Sequence, residues 1–349
     1  AVTVGVGVPF LAACGSDADE QDDATAEPER TVRLLAHDSF AISDEVQEAF
    51  TEETGIELEI IRGGDAGTVV NQAILAKGNP QADVLFGVDS TFLSRALDEE
   101  IFVPYEAEGL DEVDPSLRLD DEHRVTPIDY GDVCLNYDKE WFATHDVPVP
   151  DSLHDLVDPA YRDLLVVQNP ATSSPGLAFL LGTIEELGDG WEDWWRQLRA
   201  NGLTVANDWE GAYYAEFSGG SASEGTKPLV VSYASSPPVE VIFAEEPIEE
   251  APTGVVTAGC VRQVEGAGIL AGTENEDEAQ ELIDFMLSET FQADVPMQMF
   301  VYPVREGIEL PAEFTEHAET PEDVVLLDPV EVGERREEWV DRWTELVLG

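Results

Sequence analysis

Four polar runs in this chain carry side chains able to hold a small ligand. His37-Asp38-Ser39-Phe40, Gly63-Gly64-Asp65 and Gly87-Val88-Asp89-Ser90 each follow an apolar stretch, and Thr172-Ser173-Ser174-Pro175-Gly176 precedes one. Asp65 is placed either to cap the helix that follows it or to accept hydrogen bonds from a ligand amino group. Ser174 with Pro175 behind it predicts an N-cap followed by proline at the first helical position. The same geometry aims free N–H groups and hydroxyls at whatever lies in front of the helix, which suits a phosphate or carboxylate. Aromatic residues lie near these runs: Trp209, Tyr213 and Tyr214, then Tyr233, then Phe300 and Tyr302. An aromatic face over a ligand cation contributes about 0.5–2 kcal/mol, although the same residues would fit a core equally well.

Signatures of bond-breaking chemistry are missing. The chain has no G-x-S-x-G elbow, no H-E-x-x-H and no C-x-x-C. In the run from Gly220 to Lys227 the lysine falls one place late for a phosphate loop. Histidines are scattered at 37, 123, 145, 154 and 317, which argues against a multi-histidine metal site. A hydrolase using Asp89 or Asp129 as base and Ser173 as nucleophile is the alternative from a different class, and it lacks a histidine placed nearby. Cys134 and Cys260 sit in strand-like sequence and stand as either a disulfide or two buried thiols.

The elements that must position these residues alternate along the chain. Strands are predicted over 32–36, 56–61 and 82–88, and helices over 44–53, 68–77 and 91–97. That order implies an α/β fold with a parallel sheet and covering helices. Ligands in such sheets bind outside the carboxyl ends of the strands, so the first three polar runs meet as one wall of a cleft. A second unit follows, with strands over 164–168 and 229–233 and helices over 177–187 and 191–200. Extended segments over 125–137 and 255–268 are candidates to cross between two lobes and return. Amphipathic helices are predicted over 276–288 and 334–348. We expect lobe 1 over 31–130 and 267–310, lobe 2 over 131–266, and a C-terminal helical segment, 311–349, packed on the lobes. Two lobes are the default for roughly 320 folded residues.

Residues 1–10 are apolar, Leu11-Ala12-Ala13-Cys14-Gly15 follows, and 16–29 are acidic with no apolar residue larger than alanine. A short apolar region ending in small residues is a signal-peptide pattern and is too short to span a bilayer. With Cys14 at its end it resembles a lipoprotein signal. It predicts a signal remnant over 1–13, a lipid on the Cys14 sulfur, and an acidic tether over 14–30. That would hold the protein on the extracellular face of the cytoplasmic membrane. Acidic residues number 75 against 17 basic ones, a net charge of −58. Nucleic acid is thereby excluded as a partner, because phosphate neutralisation needs lysine and arginine. The acid is spread over every segment, which suits hydration in concentrated salt and points to a halophilic source. At about 1 M salt the screening length is only about 3 Å, so the charge does not steer ligands from afar.

Taken in order, these segments resemble the thiamine-binding solute receptors of ABC importers, within the wider family of two-lobed extracytoplasmic solute-binding proteins. The resemblance rests on Asp38-Ser39-Phe40, Ala82-Asp83-Val84 through Asp89, Asp129-Tyr130-Gly131 and Asn136-Tyr137-Asp138. It continues through Gln168-Asn169-Pro170, Thr172 to Leu177, Trp209 with Ala212-Tyr213, Ser232-Tyr233 with Ser236-Pro237, and Tyr302-Pro303-Val304. It implies a class II periplasmic-binding-protein-like fold, with a ligand cleft between lobes joined by two hinge crossings. It also implies closure over thiamine or its phosphate esters, delivery to a permease and its ATPase subunit, a monomer, and neither catalysis nor cofactor nor metal. Carried over by position, Asp65 would face the aminopyrimidine, and Trp209 and Tyr233 would pack on the rings. Thr172, Ser173 and Ser174 would meet the hydroxyethyl or phosphate end, with Asp38, Ser39, Asp89, Tyr213, Phe300 and Tyr302 completing the wall. Three positions depart from the family pattern: His37 and Val239 replace aromatics, and Phe300 replaces a tryptophan. A ferric-ion receptor of the same fold is the rival, on the strength of Tyr213-Tyr214 as paired phenolates, but it leaves Trp209, Asp65 and Tyr233 without a role.

Overall fold

The computed structural model describes residues 30–349 except 222 and 245, so Cys14 and the leader and tether predicted around it lie outside the described residues. In chain order come β1 (Arg30–Ala36), α1 (Asp44–Thr54), β2 (Ile56–Arg62), α2 (Ala66–Leu75), β3 (Val84–Asp89), α3 (Leu93–Asp98) and β4 (Phe102–Val103). Next are β5 (Thr126–Asp138), α4 (Lys139–Thr144), β6 (Leu165–Gln168), α5 (Ser174–Leu187), α6 (Trp191–Ala200), β7 (Thr204–Ala206), β8 (Leu229–Tyr233) and α7 (Pro237–Ile242). Then follow β9 (Thr253–Leu270), α8 (Glu276–Met286), α9 (Glu289–Gln298), β10 (Tyr302–Pro303), α10 (Ala312–His317) and α11 (Pro329–Val347).

Local chemistry sets most of these boundaries. The Ser43 hydroxyl accepts from the Val46 N–H to start α1, and Gly55 ends it at a left-handed φ of 70°. Asp65 caps α2, so that helix begins at Ala66, two residues before its predicted start. The N-cap of α5 is Ser173 rather than Ser174, and its side chain makes no capping hydrogen bond. Ser174 and Pro175 are therefore the first two residues inside the helix.

The strands hydrogen-bond in the order β2-β1-β3-β9-β5-β8-β6-β7. β1 is parallel to β2 and β3, and β6 is parallel to β7 and β8, as the alternating pattern requires. β9 runs antiparallel to both β3 and β5, and β5 runs antiparallel to β8. Because β5 and β9 are long and paired from end to end, they belong to both halves of the path and join two lobes. Their register shifts between Val133 and Leu135. At that irregularity Cys134 and Cys260 form a disulfide with a Cα–Cα distance of 4.5 Å, which decides between the two states the sequence allowed.

Each side of the sheet carries its own apolar layer. Val32, Leu34 and Ala36 of β1 face a core with Phe50, Phe86 and Phe285, while Leu35 faces the opposite one with Val69, Val70 and Phe92. The second core continues through Leu177, Leu180, Trp194 and Trp195 of the other lobe. α11 packs on both α3 and α6, so it touches both lobes. The fully buried Trp343 meets Trp195 edge-on at 5.5 Å, and the Arg336 guanidinium covers the Phe92 ring at 4.3 Å. Burying a large apolar side chain contributes about 1.5–3 kcal/mol, so these contacts add to the cohesion that the shared strands supply.

The disulfide closes a sequence separation of 126 residues. Reduction should lower the unfolding free energy by about 2–5 kcal/mol, read from denaturant unfolding with and without reductant at fixed salt. Alkylation of two free thiols in the unreduced, unfolded protein would contradict the bond.

Candidate functional site

The carboxyl ends of β1, β2 and β3 carry the three polar loops to one edge, as a parallel sheet must. Facing them from the second lobe are the start of α5, the segment after β7 and the segment after β8. Between them lies a cleft of about 140 Å³. His37, Asp38, Ser39 and Asp65 line it from the first lobe, and Ser174, Asp208, Trp209 and Glu210 from the second. Tyr233, Gln263 and Glu265 lie where the lobes join, and Met299 and Phe300 complete the rim.

The lobes touch directly across this cleft. The Trp209 backbone N–H donates to Asp65 Oδ2 at 3.0 Å, and the Ser39 hydroxyl donates to Glu210 Oε1 at 3.4 Å. Phe243 meets Phe300 edge-on with ring centroids 5.5 Å apart. A Cβ on Gly67 would sit 2.7 Å from the Thr172 carbonyl oxygen, so the close approach of α2 to the other lobe requires glycine there. The arrangement is closed.

Of the residues expected from the sequence, Asp38, Ser39, Asp65, Ser174, Trp209, Tyr233 and Phe300 share this lining. Trp209 is held firmly: its indole N–H donates to Ser232 Oγ at 3.0 Å and its ring stacks on Tyr213 at 5.0 Å. Asp89, Thr172, Ser173, Tyr213 and Tyr302 fall outside the lining. Asp89 and Ser173 are fully buried, and the Thr172 hydroxyl is spent on the Asn207 carbonyl at 2.6 Å. Tyr302 instead stacks on Tyr130 and meets Phe314. Tyr213 is buried and donates its phenol proton to Glu240 at 2.8 Å. Burial and the Glu240 charge push its pKa well above 10, and Tyr213 does not reach the cleft lining, so it does not present a phenolate there beside Tyr214. Ser173, with no exposed surface, is likewise out of reach as a nucleophile.

Residues 79–328 match the description of the bacterial extracellular solute-binding proteins. The chain belongs to that family. The thiamine-binding periplasmic protein of Salmonella typhimurium is 29% identical over 344 residues, spanning 97% of this chain and 98% of the relative. The protein of the same description from Escherichia coli is 30% identical over 326 residues, spanning 92% and 94%. A solved periplasmic thiamin binding protein superposes with a TM-score of 0.79 at 28% identity, covering 91% of this chain and 96% of that one. The two lobes and their shared strands are thus the class II binding-protein architecture.

In this solute-binding protein the cleft floor is acidic in a way no short motif announces. Asp89 on β3 stands opposite Glu265 on β9, which in turn stands opposite Asp129 on β5. Three carboxyl groups therefore lie abreast. Burial, reinforced by the Glu265 charge, pushes Asp89 up to about 7. Burial does the same to Asp129, with Glu265 and Asp89 adding to it. Asp89 is held in place by the Thr91 hydroxyl at 2.9 Å and the Phe92 amide at 3.1 Å. His37 Nε2 lies 3.3 Å from Glu265 Oε2. Burial works against charge on that imidazole, but Glu265, Asp65 and Asp38 outweigh it and raise the pKa above 6.5. Burial also raises Asp65, with the Ser173 hydroxyl and the Trp209 amide acting in the opposite sense.

An unfolded Asp89 titrates near 3.8 and the folded one at about 7, so the folded state holds the extra proton between those values. Its contribution to stability is full below about pH 4 and is lost as pH rises towards about pH 7. Asp89→Asn removes that loss. The variant should gain on the wild type by on the order of 4 kcal/mol between about pH 4 and about pH 8, measured by denaturant unfolding at fixed salt. Parallel pH profiles for the two proteins would contradict the assignment.

Proposed function

We propose that this protein is the extracytoplasmic receptor of an ABC importer, capturing thiamine between its lobes and delivering it to a membrane permease coupled to an ATPase subunit. One observation carries the reading: a closed cleft that combines carboxylates with aromatic walls. Thiamine is a flat permanent cation with an amino group and a short polar tail. Asp65 is placed to meet the amino group, and Trp209 and Tyr233 offer faces for the rings. The near end-to-end likeness to the thiamine-binding periplasmic proteins supports the same ligand. Ser174 is left as the hydroxyl of the α5 start that lines the cleft. The receptor acts as a monomer and performs no catalysis. Its expected lobes are 31–130 with 267–310, and 131–266, with 311–349 packed on both.

The Leu11-Ala12-Ala13-Cys14-Gly15 run supports a lipid anchor at Cys14, with the acidic stretch behind it as spacer. Among the described residues no helix is long and apolar enough to cross a membrane. The dispersed acidic surface supports work in concentrated salt.

Titration calorimetry with thiamine in molar salt tests the reading and should give a saturable heat. Asp65→Asn and Trp209→Ala should each weaken binding about tenfold or more, the scale of a lost charged hydrogen bond or stacking face. No heat from the wild type, or unchanged affinity in both variants, would overturn the proposal.

A further inference from the structure

The charge of the cleft bears on which form of the ligand it accepts. Asp38, Asp65, Asp208, Glu210 and Glu265 put five carboxyl groups in the lining, and neither lysine nor arginine contributes to it. The one basic side chain there, His37, is already paired with Glu265. A phosphate ester would need donors, and four of those nearest are already committed. The Thr172 hydroxyl donates to the Asn207 carbonyl, the Trp209 amide to Asp65, the Trp209 indole to Ser232 and the Ser39 hydroxyl to Glu210.

The start of α5 would be the natural place for an anion, since its N–H groups point outward. Here it is flanked by acid. The Ser173 hydroxyl bears on Asp65 and the Ser174 hydroxyl on Asp89, and each lowers the pKa of that carboxyl without closing a hydrogen bond of normal geometry. A phosphate brought to Ser174 would enter beside Asp65 in the lining with Asp89 buried behind it, where further negative charge is costly.

We infer, resting on the thiamine reading above, that this cleft selects unphosphorylated thiamine and rejects its mono- and diphosphate esters. The net positive ligand meets an acidic lining, whereas each phosphate adds negative charge with no cationic side chain to receive it. Specificity then comes from repulsion built into the wall as much as from contacts to the rings.

Titration calorimetry with thiamine, thiamine monophosphate and thiamine diphosphate at one fixed salt concentration tests the inference. Thiamine should bind about tenfold or more tightly than the monophosphate, and the diphosphate should be weaker again. Equal or tighter binding of the monophosphate would overturn the selectivity while leaving the thiamine reading intact. Silence towards all three would overturn both. The double variant Asp208→Asn/Glu210→Gln, at the mouth of the cleft, should narrow the thiamine-to-monophosphate ratio severalfold. A ratio that does not move would show that the acidic lining is not the discriminator.

Discussion

The pairing of β5 with β9 is the interaction on which the rest of the molecule depends. These two strands run antiparallel through both lobes, and every other strand of either lobe is reached through one of them. They are fastened at successive levels. Asp132 on β5 stands opposite Arg262 on β9 and accepts a two-pronged hydrogen bond from its guanidinium, at 2.5 and 3.0 Å. That guanidinium also covers the Tyr130 ring at 4.8 Å. Two residues further along each strand the Cys134–Cys260 bond crosses the register break. Cross-strand hydrogen bonds alone would let a long two-strand crossing shear. The covalent and ionic ties fix its register, and with it the relation between the polar loops of one lobe and the helix start of the other.

The same two strands carry acid to the floor of the cleft, where Glu265 lines it and Asp89 and Asp129 lie buried behind. Asp129 and Glu265 belong to the crossing itself, and Asp89 joins them from β3. Asp89 and Asp129 are buried in that row, and burial beside the Glu265 charge raises the pKa of both, so negative charge there is costly. The wall of the site is thus electrostatically stressed before any ligand arrives. A cation brought into it relieves repulsion that already exists, whereas an anion adds to it. Acid on the outer surface and acid in the cleft look the same in composition, and only the fold separates the two.

Much of the architecture was legible because it follows from local periodicity. The segments over 191–200 and 229–233 are α6 and β8, and both long extended segments are the crossings β5 and β9. The elements that escaped notice lack a periodic signal. α9 contains Pro296 within the helix, α7 opens on Pro237-Pro238, and the six-residue π-turn at Gly211–Glu216 mimics no standard spacing. The site divides in the same way. Residues at strand ends, such as Asp38 and Asp65, could be read from topology, because the ends of parallel strands must converge. Glu265 could not, since a carboxylate in the middle of a long strand carries no motif. Tyr213 misled for the opposite reason: a tyrosine beside Trp209 looks the same in sequence whether it faces the cleft or supports the tryptophan from behind. Here it supports it, at 5.0 Å and nearly parallel.

α11 contributes nothing to the cleft lining, yet its contacts with α3 and α6 give the two lobes a common piece of core. Trp343 completes the packing around Trp195 from a position far downstream in the chain. Neither lobe can therefore finish its interior from its own contiguous residues. A nascent polypeptide that has produced every strand of the sheet still has an open seam along Trp195 and Phe92 until α11 arrives. Such a chain stays incompletely packed along that seam for as long as its downstream residues are withheld.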